Sequence, residues 1–338
     1  MVKKLFPLIW AGLFVLAFTI GLRAVAPGPR PAPDFEGGNA GPEVIIHIIP
    51  GMTGSEIGDL LFKEGVVESS LAYFRAAVSD SRSNSIAPGE HLVESRIPAK
   101  TALEQLLDVD RILNLIRVRD GARLSEIVDE MVGAGFSKSE VRAALDATKV
   151  PEPFKARSLE GMLYPAFYSF ERDSEATKVF EKMIQRFQNE IQEIDFQSKK
   201  FTPDQLLTIA SLVEAEGTPD VFGKVARVIY NRLELGMKLQ FDSTVHYVFN
   251  RRGEIALSIA DTKVANRYNT FVFPGLPPGP IGSPTLGAMK AAIAPEPGDW
   301  LYFVTVLPGD TRFTSSYDEF LDFKAQYKRN YRNGEFNK

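Results

Sequence analysis

The chain has 338 residues, 44% hydrophobic and 24% charged, enough to bury a substantial core in two or three domains. A formal net charge of −4, without any extended run of Lys or Arg, lacks the basic footprint that neutralises phosphates, so no nucleic-acid partner is expected. The absence of cysteine excludes thiolate sites, and His47, His91 and His246 lie scattered without ligand spacing, so a metal site is not expected; no organic cofactor is expected either.

The N-terminus opens with Lys3 and Lys4, followed by LFPLIWAGLFVLAFTIGL over 5–22, eighteen residues without a charge. That length reaches across a bilayer, and the preceding positive charges hold residues 1–4 in the cytoplasm, so everything after Arg23 is exported. A cleaved signal peptide ending at Ala24-Val25-Ala26 is the competing reading; the length of the apolar run and the position of Arg23 favour an anchor in the cytoplasmic membrane. Residues 23–43 are rich in proline and glycine and read as an extended tether.

Folded structure is expected from about Val44, where an apolar strand turns at Pro50-Gly51 into a helix carrying Ile57, Leu60 and Leu61. Seventy residues later the pattern recurs. Gly51, Ser55, Glu56, Ile57, Asp59 and Gly65 match Gly121, Ser125, Glu126, Ile127, Asp129 and Gly135, which points to a duplicated strand-turn-helix unit within a module over 44–157. Between the copies lie a turn, a short strand and another helix. From 158 the text changes: SLEGMLYPAFYSF is aromatic and loop-like, and an amphipathic helix follows with Val179, Phe180, Met183, Ile184 and Phe187 on one face. Further helices are expected over 203–216 and 220–236, then an irregular stretch over 267–285 dense in proline and glycine. A strand, a turn at Pro308-Gly309-Asp310 and a second strand close the domain, 158–338.

The helix over 203–216 carries the chemistry. Thr202, Pro203 and Gln205 form a capping box with proline at the first helical position, and Gly217 ends the run. At about 100° per residue, Leu206, Leu207, Ile209, Ala210, Leu212 and Val213 share one broad arc, with Asp204, Thr208, Ser211 and Ala215 opposite. Glu214 and Glu216 both fall within the apolar arc, Glu216 on its far flank. Burial and the negative end of the helix dipole both disfavour a charged carboxylate there, which suits an acid that must still hold its proton near neutral pH. A helix-end ion pair of Glu214 with Arg227 or Arg232 is the structural alternative.

Several blocks then stand in order: LEGMLYP (159–165), ASLVEAE (210–216), VARVIYNRLELGMKLQFDSTV (225–245), YNTF (268–271), GLPPGPIGSP (275–284) and LYFV (301–304). Together they resemble the YceG-like endolytic murein transglycosylases, and the segment before them resembles that family's LysM-like module. The resemblance implies an α+β protein: an N-terminal transmembrane helix, a LysM-like α/β module and a mixed α+β catalytic domain. It implies cleavage between MurNAc and GlcNAc within peptidoglycan glycan strands, leaving 1,6-anhydroMurNAc ends, with Glu214 as general acid and then base. Glu216, Asn231, Arg232, Gln240 and Asp242 take supporting or substrate-binding positions, and Tyr268, Asn269, Thr270, Pro277 and Pro278 wall the groove. For Glu216 a helix-end ion pair, for Asn231 and Arg232 a capping and ion-pair role, and for Asp242 a helix N-cap are the structural alternatives.

The resemblance further implies peptidoglycan as partner, the membrane as anchor and cell-wall synthases as neighbours. A hydrolytic muramidase using Asp242 or Glu216 as second carboxylate, or a non-catalytic wall-binding scaffold, are the alternatives. The chain departs from the family pattern at Ser243, where proline is usual, at Thr285, where glycine is usual, and at Arg312, which replaces a histidine.

Overall fold

The computed structural model describes residues 31–171, 173–192, 194–196, 200–252 and 257–336. The expected membrane span over 5–22 lies outside these residues; among the described ones no helix is long and apolar enough to cross a membrane. They divide into two units, one ending at Leu113 and one running from Asn114, and the architecture of each is mixed α+β.

The first unit pairs β1 (Glu43–Ile48) antiparallel with β2 (Gly89–Glu94), and β2 with the short β3 (Ile112–Leu113). Helices α1 (Gly54–Lys63), α2 (Ser70–Ser79) and α3 (Ala99–Leu107) complete it. Its core gathers Ile46 and Ile48 from β1, Leu61 from α1, Tyr73 from α2, Val93 from β2 and Leu103 and Leu106 from α3. Order begins earlier than Val44. The N-cap residue of α3, Pro98, has no side chain able to accept a hydrogen bond, and Asp34 Oδ1 takes the Ala99 N–H at 2.9 Å instead. Pro33 accepts from the Ser69 hydroxyl at 2.7 Å, so the end of the tether is fastened to this unit.

The internal duplication is visible in the backbone. β4 (Leu115–Val118) and α4 (Leu124–Gly133) repeat β1 and α1, with the helices starting at an offset of 70 residues. Gly51 and Gly121 both hold positive φ (87° and 66°), as do Gly65 and Gly135 (73° and 109°), a conformation that a residue with a Cβ adopts only under strain. Glu56 and Glu126 both sit at the third position of their helices and accept from the backbone N–H of the N-cap residue. The copies extend beyond strand-turn-helix: α5 (Lys138–Ala147) follows α4 as α2 follows α1. β5 (Ala166–Ser169) then pairs antiparallel with β4 as β2 pairs with β1. Each copy is therefore a β-α-α-β unit. Ile116, Val118, Ile127 and Met131 of the second copy, placed by sequence in the module before 158, belong to the core of the second unit.

That core is built on α6 (Ala176–Ile191), whose Val179, Phe180, Met183, Ile184 and Phe187 are buried as the spacing predicts. In the same core α7 (Pro203–Glu216) packs against α8 (Phe222–Glu234), the short α9 (Asp242–Val248) and α10 (Leu286–Ile293). α7 starts on the expected capping box, Thr202 with Gln205. Its burial differs from a one-sided helix, because every residue from Leu206 to Val213 is buried. The polar side answers this internally: the Thr208 hydroxyl donates to Asp204 O at 2.8 Å and the Ser211 hydroxyl to Thr208 O at 2.8 Å. The proline-rich loop lies on this polar side, its Ile281 N–H donating to Ser211 Oγ at 3.1 Å.

The chain ends in the expected hairpin, β6 (Tyr302–Leu307) with β7 (Asp310–Thr314), and a further helix, α11 (Tyr317–Arg332). None of its residues is fully buried; Phe320, Phe323 and Tyr327 recur at helical spacing and are half-buried, but they stand among charged residues, and the Ser316 cap on the Glu319 N–H was a further signal.

The loop and the second repeat meet without room for a side chain. A Cβ on Gly282 would stand 2.4 Å from the Gly121 carbonyl oxygen. Gly282→Ala is therefore expected to cost about 1–3 kcal/mol of stability, read as a lowered thermal midpoint; an unchanged midpoint contradicts the close approach.

Candidate active site

Glu214 occupies the last turn of α7, half-buried. Its Oε2 accepts two hydrogen bonds from one residue, Thr285, which caps α10: the backbone N–H at 2.9 Å and the hydroxyl at 2.6 Å. Oε1 accepts none from the described residues. The turn between β4 and α4 forms the facing wall. Gly121 donates its N–H to Ser283 O at 2.8 Å, and Ser283 returns an N–H to Ala122 O at 2.8 Å. A Cβ on Gly121 would be 3.6 Å from Glu214 Cγ.

Loss of hydration raises the Glu214 pKa above the usual carboxylate value. The two Thr285 bonds pull the other way without cancelling it, and the negative charge of Asp120 adds to the rise. The alternative ion pairs are not formed: Arg227 donates to the Pro295 and Glu296 carbonyls, and Arg232 to the Leu239 and Leu301 carbonyls.

Glu216 points elsewhere. Its Oε1 accepts from the Ser243 hydroxyl at 2.5 Å, and it lines a cleft of about 670 Å³ shared with Arg232, Gln240, Asp242 and the aromatic rings of Phe271, Tyr302, Phe303 and Phe320. Although part of the residue stays accessible, its carboxyl is closely surrounded, and desolvation carries it to about 7. Asp242, also raised by burial, is the first residue of α9 rather than its cap; that position belongs to Phe241.

A third acid lies within the second repeat, between α5 and β5. Glu160, buried, accepts from the Leu124 N–H at 3.0 Å and the Tyr247 hydroxyl at 2.9 Å, and burial outweighs both to raise it to about 7. It fastens the N-terminus of α4, and so the Asp120-Gly121 turn, to α9. LEGMLYP contained this residue, yet its role was not legible because its partners lie 36 and 87 positions away.

Other predicted residues divide between surface and framework. Gln240 is exposed on the cleft, with positive φ of 53°. Asn231 holds the Gly298 and Trp300 carbonyls (3.2 and 2.9 Å), and the Arg232 guanidinium is largely committed to carbonyls. Asn269 and Thr270 do not wall a groove. They are 0% and 1% exposed: Asn269 Nδ2 binds the Val264 carbonyl at 2.9 Å, and Thr270 Oγ1 accepts from the Phe241 N–H at 3.0 Å. A small polar side chain in an irregular loop satisfies buried backbone groups, a use that a sequence pattern does not distinguish from ligand contact. Tyr268 packs on Tyr247 with ring centroids 4.9 Å apart; Pro277 is buried and Pro278 exposed. Asp120, Glu160 and Thr285 are the additions that the structure makes to the site.

Carboxyl groups raised by burial, two of which, Glu216 and Asp242, line a cleft with aromatic walls, define a protein equipped for acid–base chemistry on a polar, ring-bearing ligand. The particular lineage follows from sequence: the YceG-like family matches residues 46–326, and the chain belongs to it. It is 28% identical over 306 residues to a Bacillus subtilis (strain 168) protein named endolytic murein transglycosylase, covering 84% of each. A protein of the same name from Streptococcus pneumoniae (serotype 2, strain D39) is 27% identical over 297 residues, 77% of this chain and 54% of the relative. The crystal structure of a YceG-like protein from Listeria monocytogenes shares the fold, with a TM-score of 0.57 and 24% identity over 83% of this chain and 98% of that one.

The Glu160 environment sets a pH dependence of stability. Its folded pKa, about 7, lies above the ordinary 4.5, so its contribution is full below the ordinary value and is lost as pH rises through about 7. Denaturant melts between pH 4.5 and 8 should show stability falling with pH and a shallower fall in Glu160→Gln; identical slopes contradict the assignment.

Proposed function

We propose that this protein is an endolytic murein transglycosylase in which Glu214 is the general acid and base. The observation that carries this reading is the Glu214 carboxyl itself: raised by burial at a helix C-terminus, fixed through one oxygen and without a donor at the other among the described residues. The family and the names of its relatives supply the substrate, a peptidoglycan glycan strand.

In the first step the protonated Glu214 gives its proton to the glycosidic oxygen as the MurNAc C1–O bond breaks, releasing GlcNAc with a free 4-hydroxyl. The C6 hydroxyl of the same MurNAc then closes onto C1, and its proton passes to the Glu214 carboxylate. The acid is regenerated, no water is consumed, and a 1,6-anhydro end remains. Tethering the nucleophile to the reacting ring makes the closure intramolecular, so a second nucleophilic carboxylate is not required.

A second reading has its own support. Glu216, drawn to about 7 on the 670 Å³ cleft, is placed to serve as an acid there. Under that reading a partner carboxylate such as Asp242 would yield hydrolytic, reducing ends.

The first unit would serve as a LysM-like glycan-binding module. A cleft of about 750 Å³ between the Pro50 turn and the segment after α2 supports this, lined by Ile49, Phe74, Thr53 and Asn84, with the buried Tyr73 hydroxyl finding no hydrogen-bond partner among the described residues. Lys3, Lys4 and the apolar run over 5–22 support anchoring in the cytoplasmic membrane with the catalytic unit outside, in reach of cell-wall synthases.

Mass spectrometry of murein digested by the wild type should show anhydroMurNAc ends, and Glu214→Gln should lower their rate of formation by about 10²-fold or more. Reducing ends, or loss of activity in Glu216→Gln with Glu214→Gln still active, would transfer the chemistry to the other carboxyl. Binding without any product in the wild type would leave a scaffold.

A further inference from the structure

Thr285 caps α10, and its side chain lands on the acid. Its backbone N–H and its hydroxyl both reach the same oxygen of Glu214, Oε2, at 2.9 and 2.6 Å. The hydroxyl oxygen also accepts the Ala288 N–H at 3.4 Å, which fixes the direction of its proton toward the carboxyl. The residue is anchored by its neighbourhood, since Ser283, two positions before it, exchanges two backbone hydrogen bonds with Gly121 and Ala122. Oε2 is therefore saturated by donors, while Oε1 receives none from the described residues.

We propose that Thr285 is a positioning residue of the acid: by occupying Oε2 with two donors it reserves Oε1 for both proton transfers of the cycle. This rests on Glu214 being the acid. In the first transfer the Oε1 proton goes to the departing O4 as the C1–O4 bond breaks; in the second the C6 hydroxyl proton returns to Oε1 as the O6–C1 bond forms. An oxygen already accepting two hydrogen bonds is the poorer site for a proton, so the proton rests on Oε1 in the free enzyme. The same two bonds stabilise the carboxylate present between the transfers. Thr285 thus favours the first transfer by stabilising what the acid becomes, against the burial that keeps it protonated.

The charged groups around the carboxyl leave this assignment to Thr285. Asp120, on the turn after β4, is the charged side chain that acts on Glu214. From α8, Arg227 and Arg232 are spent on carbonyls; from α9, Asp242 acts on Glu216, and His246 on Asp242; from α10, Lys290 is exposed.

The test uses the full chain on isolated glycan strands, with anhydro ends counted against pH. The acid must be protonated to act, so activity falls on the alkaline side as Glu214 ionises. Removing a donor to its carboxylate raises its pKa, and Thr285→Val should therefore move the alkaline limb to higher pH. It should also lower kcat about tenfold, the kinetic size of one hydrogen bond to a charged group, with KM within about twofold of wild type. Thr285→Ser should restore both. Thr285→Gly, which keeps the backbone donor and adds no methyl groups, should reproduce the shifted limb even if the valine variant folds poorly. An unmoved limb in Thr285→Gly, or a serine variant that fails to restore it, overturns the role of the hydroxyl. Activity surviving in Glu214→Gln would instead remove the acid on which the inference stands, a separate failure read in the same assay.

Discussion

A carboxyl group withdrawn from water at the C-terminal end of α7 is the constraint around which the second unit is arranged. Burial and the helix dipole both oppose its ionisation, and left alone they would leave a strong base and a reluctant acid. The proline-rich loop offsets this by bringing the capped end of α10 to the carboxyl, so that two donors stand ready for the charge. Preset proline backbones and close glycine contacts make that approach rigid, and the positioning costs no reorganisation when a proton leaves.

The duplication gives the facing wall. In the first copy the turn carries Pro50-Gly51, and a Cβ added to Gly51 would meet nothing within 4 Å. In the second copy the equivalent turn carries Asp120-Gly121, bonded to Ser283 and lying against Glu214. One β-α-α-β plan thus supplies a free turn in one unit and a wall of the acid site in the other. Glu160 and Arg252 fasten it: Glu160 takes the Leu124 N–H, and Arg252 bridges the Gly121 carbonyl and the Glu126 carboxylate.

Much of this was legible beforehand. The repeat, the capped helix over 203–216, its two inward glutamates and the terminal hairpin follow from local patterns of period, cap and turn, which a sequence carries directly. What stayed hidden depends on pairing across long separations. Thr285 caps α10, and only the fold brings it to a residue 71 positions earlier. Asn269 and Thr270 looked like groove residues because buried loop polar groups and ligand-binding ones share a composition. α11 was not read from sequence because its half-buried aromatics, Phe320, Phe323 and Tyr327, stand among many charged and polar residues that dilute the period.

The most direct measurement is the titration of the Glu214 side-chain carboxyl by carbon-13 NMR in the full chain, with its resonance assigned by its loss in Glu214→Gln. Burial at the helix end predicts a midpoint above the ordinary glutamate value. A midpoint at or below the ordinary value would contradict a proton-holding acid at this position.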